Sequence, residues 1–208
     1  MHTFLYDEKT LKLFRRLKRQ PPKRILSDEF YHVGFDYGQS HIMATPKDFC
    51  AASQNGGDEA ITIEFVEVGS PDKKHESERV IFENPVISRL FILRTLLYFT
   101  DHITYKSKVE ALSTLTDEEK ADKVLSQILS ETTGKHEEIL CNPQSKEAAQ
   151  VNPNFANLVD VGILLEIDGK WLGCFSNCNS FSADGQVWTY EGISKDIAPY
   201  YEFIEVHP

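Results

Sequence analysis

No run of about 18 or more apolar residues occurs in the chain, so no segment has the length that a membrane-spanning helix requires. The first residues lack the charged-then-apolar order of a secretory signal, because basic side chains follow the few apolar ones. Cysteine is scarce: Cys50, Cys141, Cys174 and Cys178 are the only four. Cys174 and Cys178 sit four apart on a predicted strand, hence about 13 Å from each other, too far for a mutual disulfide. Their spacing also lacks the Cys-x2-Cys form of a zinc knuckle. Small buried thiols in a reducing, cytoplasmic setting are the expectation.

The familiar chemical motifs are missing too. There is no G-x-x-x-x-G-K-[ST] phosphate loop, no G-x-G-x-x-G and no H-E-x-x-H. A kinase signature set and repeats at solenoid periods are likewise absent. No cofactor and no metal site is expected. These absences weigh against an enzyme without removing one, since a carboxylate pair doing acid–base work leaves no local pattern.

What the sequence does carry is uneven charge. Asp and Glu number 32 against 22 Lys and Arg, for a net charge of −10. Eight basic residues against Asp7 and Glu8 leave the first 25 residues at +6 and the remainder at −16. An acidic body repels nucleic acid and anionic membrane and attracts basic partners. Residues 1–26 read as a basic amphipathic helix and arm that ends before Pro21-Pro22, with Phe4, Leu11, Phe14 and Leu17 near one side. Arg15, Arg16, Lys18, Arg19, Lys23 and Arg24 admit three roles: weak contact with phosphate, a basic localisation signal, or docking on the protein's own acidic body. The last is the expectation, and nucleic-acid binding through this arm alone would be weak and salt-sensitive.

Residues 27–208 read as a single α+β domain, a mostly antiparallel sheet built from hairpins with two main helices packed on it. Its organising stretch is Leu158 to Cys178. Val159, Val161, Ile163, Leu165 and Ile167 alternate with their neighbours, the period of a strand. Asp168-Gly169 supplies the pair of positive φ angles that a two-residue type I′ turn demands. That turn sets Ile167 against Lys170, Leu165 against Leu172, Ile163 against Cys174 and Val161 against Ser176. On the other face Phe175 falls opposite Gly162 and Trp171 opposite Glu166, and Asp160 pairs with Asn177. An aromatic side chain over a strand glycine is stabilising. Asp160 with Asn177 reads first as a satisfied cross-strand hydrogen bond, and second as the floor of a polar site.

A second hairpin is predicted from Phe30–Phe35 and Gln39–Ala44 around Asp36-Tyr37-Gly38, with Gly38 in the left-handed position. Pro46 to Asp58 reads as a helical turn and loop broken at Gly56-Gly57. Ile61 to Val68 reads as a strand with a bulge at Phe65-Val66, where the alternation changes phase. Arg79 to Glu83 is the next strand. Asn84-Pro85 has the form of a helix start, and apolar residues around most of the circumference predict a helix over about 85–103. A Leu/Phe-rich strand pair over 86–99 is the competing reading, because short apolar runs are ambiguous. Thr116 with Glu119 makes a capping box for a helix over about 117–132. Val187–Tyr190 and Tyr200–Val206 read as the last strands.

Two functions of different class follow. The first is a non-enzymatic protein-binding module whose acidic surface engages a basic partner protein, as antagonist or immunity-type proteins do. Trp188, Tyr190, Tyr200 and Tyr201 supply an aromatic edge of the kind enriched at interfaces, with Asp160 and Asn177 as polar candidates. The second is a small hydrolase or metal-dependent enzyme using His32, Asp36 and His41, since His and Asp together bind metals or form a base with its orienting group.

Overall fold

The computed structural model describes residues 1–27, 33–53, 56–69, 79–100, 137–176, 187–188 and 190–208. The helix expected over 117–132 lies outside them. The chain divides into two compact units, Met1–Tyr98 with Leu140–Pro208, and Phe99–Ile139. Apart from the end of one strand and the start of another, the described elements belong to the first unit.

In chain order these are β1 (His2–Phe4), α1 (Glu8–Arg19), β2 (Arg24–Ser27), β3 (Val33–Asp36), β4 (Ser40–Ser53), β5 (Gly56–Gly69), β6 (Arg79–Glu83), β7 (Ile87–Thr100), β8 (Glu137–Cys141), β9 (Ala156–Ile167), β10 (Lys170–Phe175), β11 (Val187–Trp188), a short helical stretch over Tyr190–Ile197, and β12 (Glu202–Glu205). One sheet runs β11-β10-β9-β7-β12, with β1 added beside β9 and β8 beside β7. The other runs β5-β4-β3-β2-β6. The pairs β9–β10, β10–β11, β7–β9 and β7–β12 and those of the second sheet are antiparallel, and β1 runs parallel to β9. The molecule is thus mostly β, with α1 its one substantial helix among the described residues.

The β9–β10 hairpin forms as its sequence requires. Asp168 and Gly169 have φ of 49° and 75°, the two positive values of a type I′ turn. The register sets Ile167 against Lys170, Leu165 against Leu172, Ile163 against Cys174 and Gly162 against Phe175. Ile163, Leu165, Ile167, Leu172 and Cys174 are fully buried. They join Ile25, Phe35, Ile42 and Ile63 of the second sheet, and Phe14 and Leu17 of α1, in one core cluster. Each such side chain, once removed from water, contributes about 1.5–3 kcal/mol as an upper bound.

Three expectations are corrected. Residues 87–100 form strand β7 rather than a helix. Leu90 and Ile92 join the inter-sheet core, while Phe91 and Leu93, at the alternate positions, are buried as well. A strand covered on both faces needs apolar residues at nearly every position, and that pattern imitates a buried helix. Asn84 is not a helix cap: at φ 47° it turns the chain from β6 into β7 and donates its amide to the Lys23 carbonyl. Where a loop is predicted over 46–58, residues 46–53 continue β4 and 56–58 begin β5, and the two strands pair without a break from Ser40↔Gly69 to Ser53↔Gly56. The bulge expected at Phe65-Val66 is therefore absent, and Val68 simply faces solvent.

A real bulge lies elsewhere. Opposite β7, Leu93 pairs with Gly162 but Arg94 pairs with Asp160, so Val161 is the extra residue. Gly162 sits beside it at φ 151°, a backbone that side chains resist. Bulges of this kind re-aim side chains, and this one sets Asp160 directly across from Arg94.

Helix α1 starts at Asp7, whose carboxylate accepts the Thr10 amide at 2.8 Å. Its Leu13, Phe14 and Leu17 are buried. Phe14 meets Tyr6 and Phe65 edge to face, with ring centroids 5.2 and 4.8 Å apart.

Candidate functional site

The β3–β4 hairpin brings together two of the three residues suspected of catalysis. Asp36 stands opposite His41 in the register, and its Oδ1 lies 3.1 Å from His41 Nε2. Gly38, at φ 89°, allows the tight turn, and its amide donates to the same carboxylate oxygen at 2.6 Å. On the other side Arg24 of β2 donates from Nε to Oδ2 at 2.9 Å and adds a second bond from its terminal nitrogen. Burial alone would raise the Asp36 carboxyl. The Arg24 guanidinium, the Gly38 amide and the charge of His41 outweigh it and hold the group below the ordinary aspartate range. Asp36 is buried, and both of its oxygens accept hydrogen bonds from protein donors. His41 is also buried, and its Nδ1 has no partner among the described residues. His32 lies outside them. Among the described residues no three His, Cys, Asp or Glu side chains gather as a metal site would need.

Asp160 occupies the seam between the sheets. Arg94 donates to its two oxygens at 2.7 and 3.2 Å, and the Tyr6 amide donates to Oδ2 at 2.9 Å. The Asp160 carbonyl accepts the Thr62 hydroxyl of β5. Two neighbours complete the seam. The Tyr6 hydroxyl donates to the Ile63 carbonyl at 2.9 Å, and the Ser176 hydroxyl to the Ile61 carbonyl. Burial, with the Asp160 charge adding to it, pushes the Tyr6 phenol well above its ordinary value. Asn157 meets Ala52 of β4 like a strand partner, accepting its amide at 2.8 Å and donating to its carbonyl at 2.9 Å. Asn177, the expected partner of Asp160, lies outside the described residues. Sequence reasoning misses the Arg94–Asp160 pair. Its one trace in the sequence is an arginine interrupting an apolar run, since 66 residues separate the partners.

The C-terminal aromatics divide. Tyr201 is buried and meets Phe175 at 5.6 Å between ring centroids. Tyr200, beside it, is 48% exposed. Trp188 lies on β11 opposite Trp171, and Tyr190 opens the short helical stretch. Exposed Glu191 and Asp196 lie on that stretch, and Glu202 follows at the start of β12. Thr95 of β7 anchors the turn from beneath, donating to the Tyr200 carbonyl at 3.0 Å and sharing the hydroxyl with the Cys141 carbonyl at 3.3 Å. Asn142 adds bonds to the carbonyls of Ala198 and Tyr201. Tyr200 is thus exposed on a turn that is itself firmly held.

The basic residues of α1 and β2 partly dock on the protein itself. Arg16 pairs with Glu67 and lies over the Tyr37 ring at 4.4 Å, Lys18 reaches Glu205 at 3.8 Å, and Arg24 holds Asp36. Burial pushes the Tyr37 phenol up to about 12. Among the described residues, two of the concavities bear on these groups. One, of about 270 Å³, is lined by Phe4, Tyr6, Thr10, Phe49, Thr62 and Asp160 among others. The other, about 560 Å³, is bounded by Lys12, Arg15, Arg16, Arg19, Gln20 and Pro208. No helix among the described residues is long and apolar enough to cross a membrane. Compared with known protein families, curated proteins and solved structures, the chain matches none.

Proposed function

We propose that the chain is a protein-binding module without catalytic chemistry of its own, and that it engages a basic partner protein through the acidic, tyrosine-bearing surface around Tyr200. The observation that supports this most is the division of labour between neighbours. Tyr201 is buried as an anchor while Tyr200 stands half exposed, with Glu191, Asp196 and Glu202 outnumbering the one lysine, Lys195, in the same segment. A tyrosine on a rigid turn offers large contact area at small entropic cost. The carboxylates around it would steer a cationic partner and set its orientation. The chain's net charge of −10 acts in the same direction at long range.

The test is capture of partners by the full chain from its native cells, with the recovered protein then purified and titrated. A basic protein should bind, with affinity falling as salt rises. Tyr200→Ala and a Glu191→Lys/Asp196→Lys variant should each weaken binding about tenfold or more, the scale of a central aromatic anchor. Salt-insensitive binding, or binding unchanged in both variants, would defeat the proposal.

A second reading, a metal-dependent hydrolase built on His32, Asp36 and His41, draws support from the 3.1 Å contact between Asp36 and His41. Against it stand the hydrogen bonds already filling the Asp36 carboxylate and the burial of the one open His41 nitrogen. A zinc-induced rise in melting temperature that His41→Ala abolishes would revive it.

A further inference from the structure

We infer that the outward face of α1 is a binding site for a phosphate chain, such as the tail of a nucleotide or a short inorganic polyphosphate. At about 100° per residue, Lys9, Lys12, Arg15, Arg16 and Arg19 fall within an arc of about 120°, opposite Leu13, Phe14 and Leu17. Glu8 is the one acidic residue of the helix. Four of the five cations, with Gln20 and Pro208, line the open concavity of about 560 Å³. The ligand therefore meets four cations of one helix face at the floor of a shallow, open depression.

Stabilisation of the helix itself does not account for this face. Cations in the last turn complement the helix dipole, which explains Arg16, Lys18 and Arg19. Lys9 and Lys12 lie too far forward for that effect, which falls off within a turn. Internal ion pairs absorb part of the charge and leave the rest. Arg15 pairs with Glu8 across exposed surface, where such pairs contribute about 0–1 kcal/mol and are readily exchanged, whereas Arg16 is held by Glu67, Ser40 and the Tyr37 ring. Lys12 and Arg19 are exposed and have no ion-pair partner among the described residues.

The chemistry of the face selects the ligand class. Three of the four lining cations are arginines, whose planar forks match phosphate oxygens two at a time. Lys12, Arg16 and Arg19 follow one another at about one helical turn, about 5 Å along the axis, a spacing suited to successive phosphates. A lipid surface fits less well, because the apolar side of α1 is buried in the core and cannot insert. Gln20 adds a neutral amide for oxygens that the cations leave unbound.

The test is calorimetric titration of the full chain with sodium tripolyphosphate, adenosine triphosphate and adenosine at low and at moderate salt. Tripolyphosphate should bind, more weakly at higher salt. A Lys12→Glu/Arg19→Glu variant should lose about tenfold or more in affinity, the effect of one charge-assisted hydrogen bond or better. Lys12→Ala/Arg19→Ala should lie between it and the unaltered chain. Lys146→Glu serves as the control. This exposed lysine lies near Gln144, which bonds Glu202 at one end of β12, whereas Lys18 of α1 reaches Glu205 at the other. Equal binding of adenosine triphosphate and tripolyphosphate would show that the phosphates alone are read, and tighter binding of the nucleotide would add base contacts; both support the site. Absence of tripolyphosphate binding, equal binding of adenosine, or the same loss in Lys146→Glu would overturn it. Melting curves of each variant separate lost binding from lost fold.

Discussion

Replacing Arg94 by methionine removes one partner of a buried ion pair and leaves the other in place. Asp160 is 2% exposed and receives bonds of 2.7 and 3.2 Å from Arg94. In the Arg94→Met variant the Tyr6 amide is the one donor among the described residues that still faces the carboxylate, so a buried charge loses its counter-ion. Breaking a buried pair from one side costs about 3–5 kcal/mol. Domains of ordinary stability hold about 5–15 kcal/mol in total, so the loss is a large fraction of the whole. With a urea dependence of about 2 kcal/mol per molar, the unfolding midpoint should fall by about 1.5–2.5 M at an unchanged slope. The companion variant Arg94→Met/Asp160→Asn removes the stranded charge while keeping an acceptor for the Tyr6 amide. It should recover part of the loss, giving a coupling energy well above the roughly 0.5 kcal/mol of independent sites. An Arg94→Met chain within about 1 kcal/mol of the original would refute the reasoning, as would a double variant no more stable than the single one.

Three further outcomes are expected. Gly162→Ala should unfold the chain or sharply lower its melting temperature, because a Cβ there would lie 2.2 Å from the Cys174 carbonyl oxygen and 2.4 Å from the Phe175 Cα, on a backbone at φ 151°; a variant melting within a degree or two of the original would contradict this. Asp36→Asn should cost stability at neutral pH. Because the folded carboxyl is held below its unfolded value of about 3.9, the gap between the two proteins should be full above that pH and close as pH falls through the lower folded value; urea midpoints measured across the acid range that stay parallel would exclude it. Thr95→Val should cost about 1–3 kcal/mol by removing the buried donor shared by the Cys141 and Tyr200 carbonyls, and amide exchange around Tyr200 and Tyr201 should quicken; unchanged exchange there would show that the turn is held by other means.

Legibility in the sequence follows locality. Asp168-Gly169 fixes a turn, the turn fixes a register, and the alternation fixes which face is dry, so the residues alone are enough to write out the β9–β10 hairpin. The Asp36–His41 contact is legible as nearness within one hairpin but not as a register, since the sequence places Asp36 in the turn whereas it ends β3 opposite His41. β7 resists because strands flank it and apolar neighbours cover both its faces, which removes the period that would have distinguished it. Asn84-Pro85 carries a signal with two meanings, as asparagine both caps helices and tolerates the left-handed backbone. The Arg94–Asp160 pair needs a bulge whose one marker is Gly162, a residue that reads equally well as a place for Phe175 to cover and as a break in phase. The second sheet as a layer facing the first is invisible for a simpler reason: contacts between sheets leave no trace in local spacing. The acidic balance and the basic helix are legible from composition, but which cations turn inward depends on where the fold places Glu67 and Glu205.

The hydroxyls of Tyr6 and Ser176 stop the carbonyls of Ile63 and Ile61 along β5, the last strand of its sheet. Residues two apart point their carbonyls the same way, so these two acceptors belong to one rail of the strand. A neighbouring strand that approached this edge would find those two acceptors already taken. The seam that joins the layers thus blunts the middle of an edge strand, at the cost of two side chains.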